Sequence, residues 1–80
     1  MQMLVTIETG DFDAFKTGFD GEAEKRMNAG LTLMQMWREA EAPTTVVCLF
    51  DVNDRDKAKA WLDAEAQTGT NITGRFLRTA

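Results

Sequence analysis

Thr45-Val46-Val47-Cys48-Leu49-Phe50-Asp51-Val52 is the stretch on which the fold of this chain turns. Every position except Asp51 is β-branched or apolar, the composition that packs best on a pleated surface. Successive strand residues point to opposite faces, so Val46, Cys48, Phe50 and Val52 share one side and Val47 and Leu49 the other. An antiparallel strand with one wet face alternates apolar with polar residues. This one is apolar on both faces.

Outward toward the N-terminus, Glu39 to Pro43 reads as a polar connection closed by the only proline. Before it, Leu31 to Arg38 reads as a strand. Leu31, Leu33, Gln35 and Trp37 are expected on one face, Thr32, Met34, Met36 and Arg38 on the other. The spacing predicts an antiparallel hairpin. Asn28-Ala29-Gly30 is a helix stop, with Gly30 suited to a left-handed terminal position. The helix it ends carries Phe12, Phe15, Phe19, Ala23, Arg26 and Met27 on one stripe, with Asp11 as its N-cap. Gly18 and Gly21 each weaken it by roughly 1 kcal/mol relative to Ala and mark a possible break or kink. Met3 to Thr9 reads as the first strand, with Met3, Val5 and Ile7 on one face and Leu4, Thr6 and Glu8 on the other.

Outward toward the C-terminus, Asp54 is the expected N-cap of a helix that buries Ala58, Trp61 and Leu62 and stops at Thr68-Gly69. Ile72, then Arg75 to Thr79, form the expected last strand, with Phe76 and Leu77 on opposite faces. The order is β-α-β-β-α-β. Right-handed crossovers leave few topologies for it. The simplest is an α+β, ferredoxin-like domain over residues 1–80, with a four-stranded antiparallel sheet in the order 4-1-3-2 and both helices on one face. Two helices cover only one side of such a sheet. The apolar residues left on the other, with Leu4, Leu33, Val47 and Leu49 as the candidates, predict a dimer interface between two copies. Eighty residues bury only a little over about 60% of their unfolded surface, so a second copy would supply missing core.

Composition narrows the chemistry. Nine basic residues are scattered among thirteen acidic ones, for a net charge of −4, which argues against nucleic acid as a partner. There is no His, which removes the commonest neutral-pH acid/base and the commonest transition-metal ligand, and no Tyr. Cys48 is the only cysteine, so neither an internal disulfide nor a cysteine-only zinc site can form, and without a nearby base it reads as a small buried hydrophobe. No metal-ligand spacing or phosphate loop is present, since Gly69 to Gly74 lacks a Lys, and no cofactor is expected. The longest apolar run, Val46 to Phe50, is far short of the ~20 residues a membrane helix needs. With no secretory leader in view, the expected compartment is the cytoplasm.

Phe15, Phe19, Arg26 and Gly30, then Pro43, the run Val46 to Val52, Asp54, Lys57-Ala58 and Trp61-Leu62 together resemble the dimeric α/β-barrel superfamily. The likeness is to its small bacterial cyclase-like members, relatives of the antibiotic-biosynthesis-monooxygenase domains, and covers residue 3 to about residue 65. The resemblance implies two sheets packed face to face across a dimer axis. It also implies a cavity, between sheet and helices or within the barrel, that holds a small molecule. Monooxygenase members work with Asn, Trp and His in that cavity; this chain has no His.

Polar residues within strands are the best placed for chemistry, because strands hold groups rigidly. Glu8, Gln35, Trp37 and Arg75 are the candidate ligand-pocket residues: a carboxylate for base or hydrogen-bonding work, an amide, an aromatic wall, and a guanidinium for an anion. The reading is a homodimeric barrel that binds a small hydrophobic or aromatic molecule or serves as an assembly module. The alternative is a cofactor-free monooxygenase, isomerase or cyclase. The sequence does not name a reaction.

Overall fold

The computed structural model describes residues 1–80 and is α+β. The elements are β1 (Gln2–Glu8), α1 (Phe12–Gly21), α2 (Ala23–Asn28), β2 (Leu31–Glu39), β3 (Ala42–Val52), α3 (Arg55–Gln67) and β4 (Asn71–Leu77). The four strands form one antiparallel sheet in the order β2-β3-β1-β4, which is the expected 4-1-3-2 read from the other edge.

Both long helices start as the sequence predicts. The Asp11 carboxylate accepts from the N–H groups of Asp13 (2.9 Å) and Ala14 (3.4 Å), and the Asp54 carboxylate accepts from Lys57 N–H (3.1 Å). Each satisfies donors that the first helical turn leaves unpaired. The expected single helix over Phe12 to Asn28 is instead two, and the chain has three helices. Gly21 ends α1, and Glu22, at φ −105° and ψ 18°, serves both as its last cap and as the first of α2. Gly30 adopts φ +74°, and its carbonyl accepts from Asn53 N–H at 2.8 Å, tying the start of β2 to the end of β3.

β3 is central, between β1 and β2. Met3 lies opposite Phe50, Val5 opposite Cys48 and Ile7 opposite Val46, and directly opposed residues share a face. These six are at most 4% exposed. β4 adds Ile72, Gly74 and Phe76 to the same side. The helices pack on that side: Phe19 of α1 lies 6.5 Å from Phe50, and Trp61 of α3 stands edge-on to Phe50 at 5.8 Å and 68°. The Trp61 Nε1 is buried without a hydrogen-bond partner. Leu62 of α3 fits against Gly74, where a Cβ would lie 2.9 Å from its Cδ2. Gly74 is therefore part of a continuous β4, in place of the gap expected between Ile72 and Arg75.

Strand β2 departs most from the expected pattern. Leu31 opposes Val52 and Leu33 opposes Phe50, both on the helix side. The register then shifts: Gln35 opposes Leu49, Met36 opposes Cys48 and Trp37 opposes Val47. One extra residue, Met34, is accommodated as a bulge, which swaps the faces of everything after it. Leu33 therefore does not share a face with Gln35 and Trp37, and Met36 and Arg38 join the helix side instead. Arg38 confirms this placement, its guanidinium lying 4.0 Å from the Phe12 ring centroid of α1 while its Nε donates to the Pro43 carbonyl at 2.8 Å. The hairpin is also tighter than expected: only Ala40 and Glu41 separate the strands, and Pro43 lies within β3, beyond the last β1 partner at Thr45. A missing N–H does no harm there.

Candidate functional site

The side of the sheet without helices holds most of the residues singled out from the sequence. Across the strands it reads in rows. Leu77, Gln2, Asp51 and Thr32 form one, Arg75, Leu4, Leu49 and Gln35 the next, then Thr73, Thr6, Val47 and Trp37, then Asn71, Glu8 and Thr45. Leu4, Val47 and Leu49 are contiguous at its centre and only half-buried. Trp37 on one edge strand is 46% exposed and Leu77 on the other 37%. Of the four candidate interface residues, Leu4, Val47 and Leu49 lie on this face; Leu33 lies on the helix side because of the Met34 bulge.

Glu8, Gln35, Trp37 and Arg75 share this face: Gln35 and Trp37 are neighbours on the β2 edge, Arg75 is on the β4 edge and Glu8 is at the end of β1. Arg75 and Gln35 occupy one row on opposite edge strands, so their backbones are three strand spacings, about 14 Å, apart. Glu8 stands at the far end of β1, where its Oε2 accepts from the Thr45 hydroxyl at 2.7 Å. Arg75 makes no ion pair. A shallow groove of about 220 Å³ runs along Leu4, Thr6, Thr73, Gly74 and Arg75. Thr6 and Thr73, which floor it, carried no signal in the sequence beyond being small polar residues in strands. The bulge that returns Gln35 and Trp37 to this face also has no signature, because Leu33-Met34-Gln35 contains neither Gly nor a turn residue.

On the helix side, Cys48 is fully buried, and burial raises its thiol to about 11, with the neighbouring Arg26 charge pulling the other way. That is a thiol kept protonated, the opposite of a nucleophile. Arg26 is itself buried, which draws it below the ordinary guanidinium value against the favourable influence of Cys48, Asp20, Glu22 and Glu65. It donates to the Phe19 carbonyl at 2.6 Å and lies over the Phe19 ring at 3.5 Å. Its work is to close the C-terminal end of α1 from α2. Glu22, one turn before it, pairs instead with Lys25, at 3.8 Å. No three carboxylate or thiol groups cluster as a metal site would require. No helix is long and apolar enough to cross a membrane.

No family model, no curated protein and no solved structure matches the chain.

Proposed function

We propose that this chain works as one half of a homodimer, two ferredoxin-like units packing through their helix-free faces as in a dimeric α/β barrel, with assembly as its primary role. The observation that carries this reading is the uncovered patch of Leu4, Val47 and Leu49 at the middle of the sheet, flanked by Trp37 and Leu77. Water-facing sheets are otherwise polar on that side.

A second copy is the occupant for two reasons. The chain exposes 5161 Å², whereas a folded monomer of 8.9 kDa exposes about 4,800 Å². Its shape is a slab only 19 Å in its thinnest direction, one sheet and one helix layer with nothing on the far side. The face also carries its own complement: Arg75 opposes Leu4 while Glu8 and Asp51 are acidic, so a two-fold pairing has unlike charges to set against one another. Catalysis is the less supported role, since Arg75 stands across the sheet from Gln35 and Trp37, and Glu8, at the end of β1, already holds Thr45.

Sedimentation equilibrium tests it. The expected result is a species of twice the 8.9 kDa chain mass, returned to 8.9 kDa by Leu49→Asp with an unchanged far-UV spectrum. A wild-type protein that stays at 8.9 kDa through high micromolar concentration overturns the proposal.

A further inference from the structure

β4 has a neighbour on one side only, so the backbone groups along its outer side have no partner within the sheet. The two edges of the sheet differ. β2 carries the Met34 bulge, a device that turns an edge away from further pairing. β4 pairs with β1 in unbroken register from Asn71 to Leu77 and contains neither a bulge nor a proline. Its outer side is a regular ladder to which another extended chain can be added.

Charge on this edge is unlike that of the rest of the chain. All thirteen acidic residues lie between Glu8 and Glu65, whereas residues 66–80 hold Arg75, Arg78 and no acid. A third guanidinium, that of Arg55 at the start of α3, lies 4.7 Å from the Phe76 ring centroid. Stacking holds it beside the strand and leaves its N–H fork free for a carboxylate. All three arginines are exposed, and none forms an ion pair although acids are in excess. The acids nearby are engaged elsewhere. Asp63 pairs with Lys59 at 3.0 Å, Asp51 accepts from Gln2 at 3.3 Å, Asp54 caps α3, and Glu8, beside the Asn71 end of β4, holds Thr45. Asp56, in the first turn of α3, is one charge against three.

We propose that the outer edge of β4 docks an extended acidic segment of another protein as a fifth strand. Arg75 lies on the helix-free face, and Phe76 with its stacked Arg55 on the helix side. Opposed residues share a face, so in an added strand the residue opposite Arg75 meets that guanidinium and the adjacent one, opposite Phe76, meets Arg55. Two consecutive carboxylates satisfy both, with Arg78 just beyond the end of the strand. Glu8 repels acids from the Asn71 end, which fixes where along the edge the acidic pair sits. A second copy of β4 is the wrong occupant, because self-pairing would crowd the arginines of both copies onto one short ladder. The inference does not rest on the dimer, since Arg55 stands on the helix side, away from the face proposed to pair.

The test uses the full isotope-labelled chain and capped heptapeptides, read by NMR at the β4 amides. Thr-Glu-Glu-Val-Thr-Val-Thr is expected to bind at least about tenfold more tightly than the same peptide with Gln-Gln, and the Lys-Lys peptide is expected not to bind. Arg55→Gln and Arg75→Gln are each expected to weaken the Glu-Glu peptide about threefold to fivefold, and Arg55→Gln to leave the mass of the free protein unchanged. Main-chain pairing has its own signature: successive amides of a strand point to opposite sides, so N-methylation of the first valine or of the threonine after it is expected to abolish binding in one case and spare it in the other. Equal affinity for the Glu-Glu and Gln-Gln peptides, binding that survives both N-methylations, or no response of β4 to millimolar Glu-Glu peptide overturns the proposal.

Discussion

Cys48 and Arg26 show how little of a residue's role is carried by its type. Both have reactive or charged groups, and both are spent on the interior. The Cys48 thiol, pushed up to about 11 by burial, has a consequence for stability at high pH. In the unfolded chain it ionises near its ordinary value of 9.0; in the folded chain it keeps its proton to about 11. Between these values the unfolded state binds fewer protons than the folded one, so stability falls as pH rises through that window. Below 9 the two states hold the same proton and the effect vanishes. Urea titrations of wild type and Cys48→Ala at pH 8 and 10 check this: the wild type is expected to lose more of its midpoint between the two, and parallel losses count against it. From the sequence Arg26 was legible as a position on the stripe of the first helix and as part of the family resemblance. Its real partners, the Phe19 carbonyl and ring, lie seven residues back, and the break at Gly21-Glu22 is what brings them within reach. No periodicity argument locates a contact created by a break.

At the scale of elements, what the sequence made legible follows from local chemistry. The N-caps at Asp11 and Asp54 and the alternation of β3 depend on neighbours in the chain, and the structure has them as read. The Met34 bulge and the unbroken β4 through Gly74 depend on partners elsewhere: a register against β3, and a Leu62 side chain from α3. The face of Leu33 and the shape of the groove beside Arg75 were therefore out of reach. Glycines sort the same way. Gly30, at φ +74° with the Asp54 nitrogen 3.2 Å from where a Cβ would be, is required by its backbone; Gly18 is not. Gly30→Ala is expected to cost about 1 kcal/mol or more. Gly18→Ala is expected to gain about 0.5–1 kcal/mol, because its helical conformation suits Ala. Asp54→Ala is expected to lose about 1 kcal/mol with the α3 cap. Thermal melts of the three variants, ordered Gly18→Ala above wild type and the other two below, check the assignment.

At the scale of the whole molecule, charge acts against the proposed assembly even as apolar surface favours it. Each chain carries −4, so two copies repel at long range. Salt screens that repulsion over a length of about 10 Å at 0.1 M and leaves apolar contact intact. The dimer is therefore expected to tighten as sodium chloride is raised from low to moderate concentration. Acrylamide quenching provides a local readout, since Trp61 is already buried and Trp37, 46% exposed on the helix-free face, supplies most of the accessible signal. Quenching that falls with protein concentration supports the face-to-face arrangement. Quenching independent of concentration counts against it.

The bulge at Met34 sets which positions of β2 serve the chain's own core and which look outward. Leu31 is buried in the chain's own core and Leu33 opposes Phe50 on the same side, while Gln35 and Trp37 look outward from the other face. Substitutions at Leu31, Met36 and Arg38 are felt by the folding of one molecule, and those at Gln35 and Trp37 by whatever that molecule meets. Selection can therefore act on the two traits independently within a strand of nine residues. A lineage could rewrite its partner without retesting its core, provided that the one unpaired methionine position is neither lost nor duplicated.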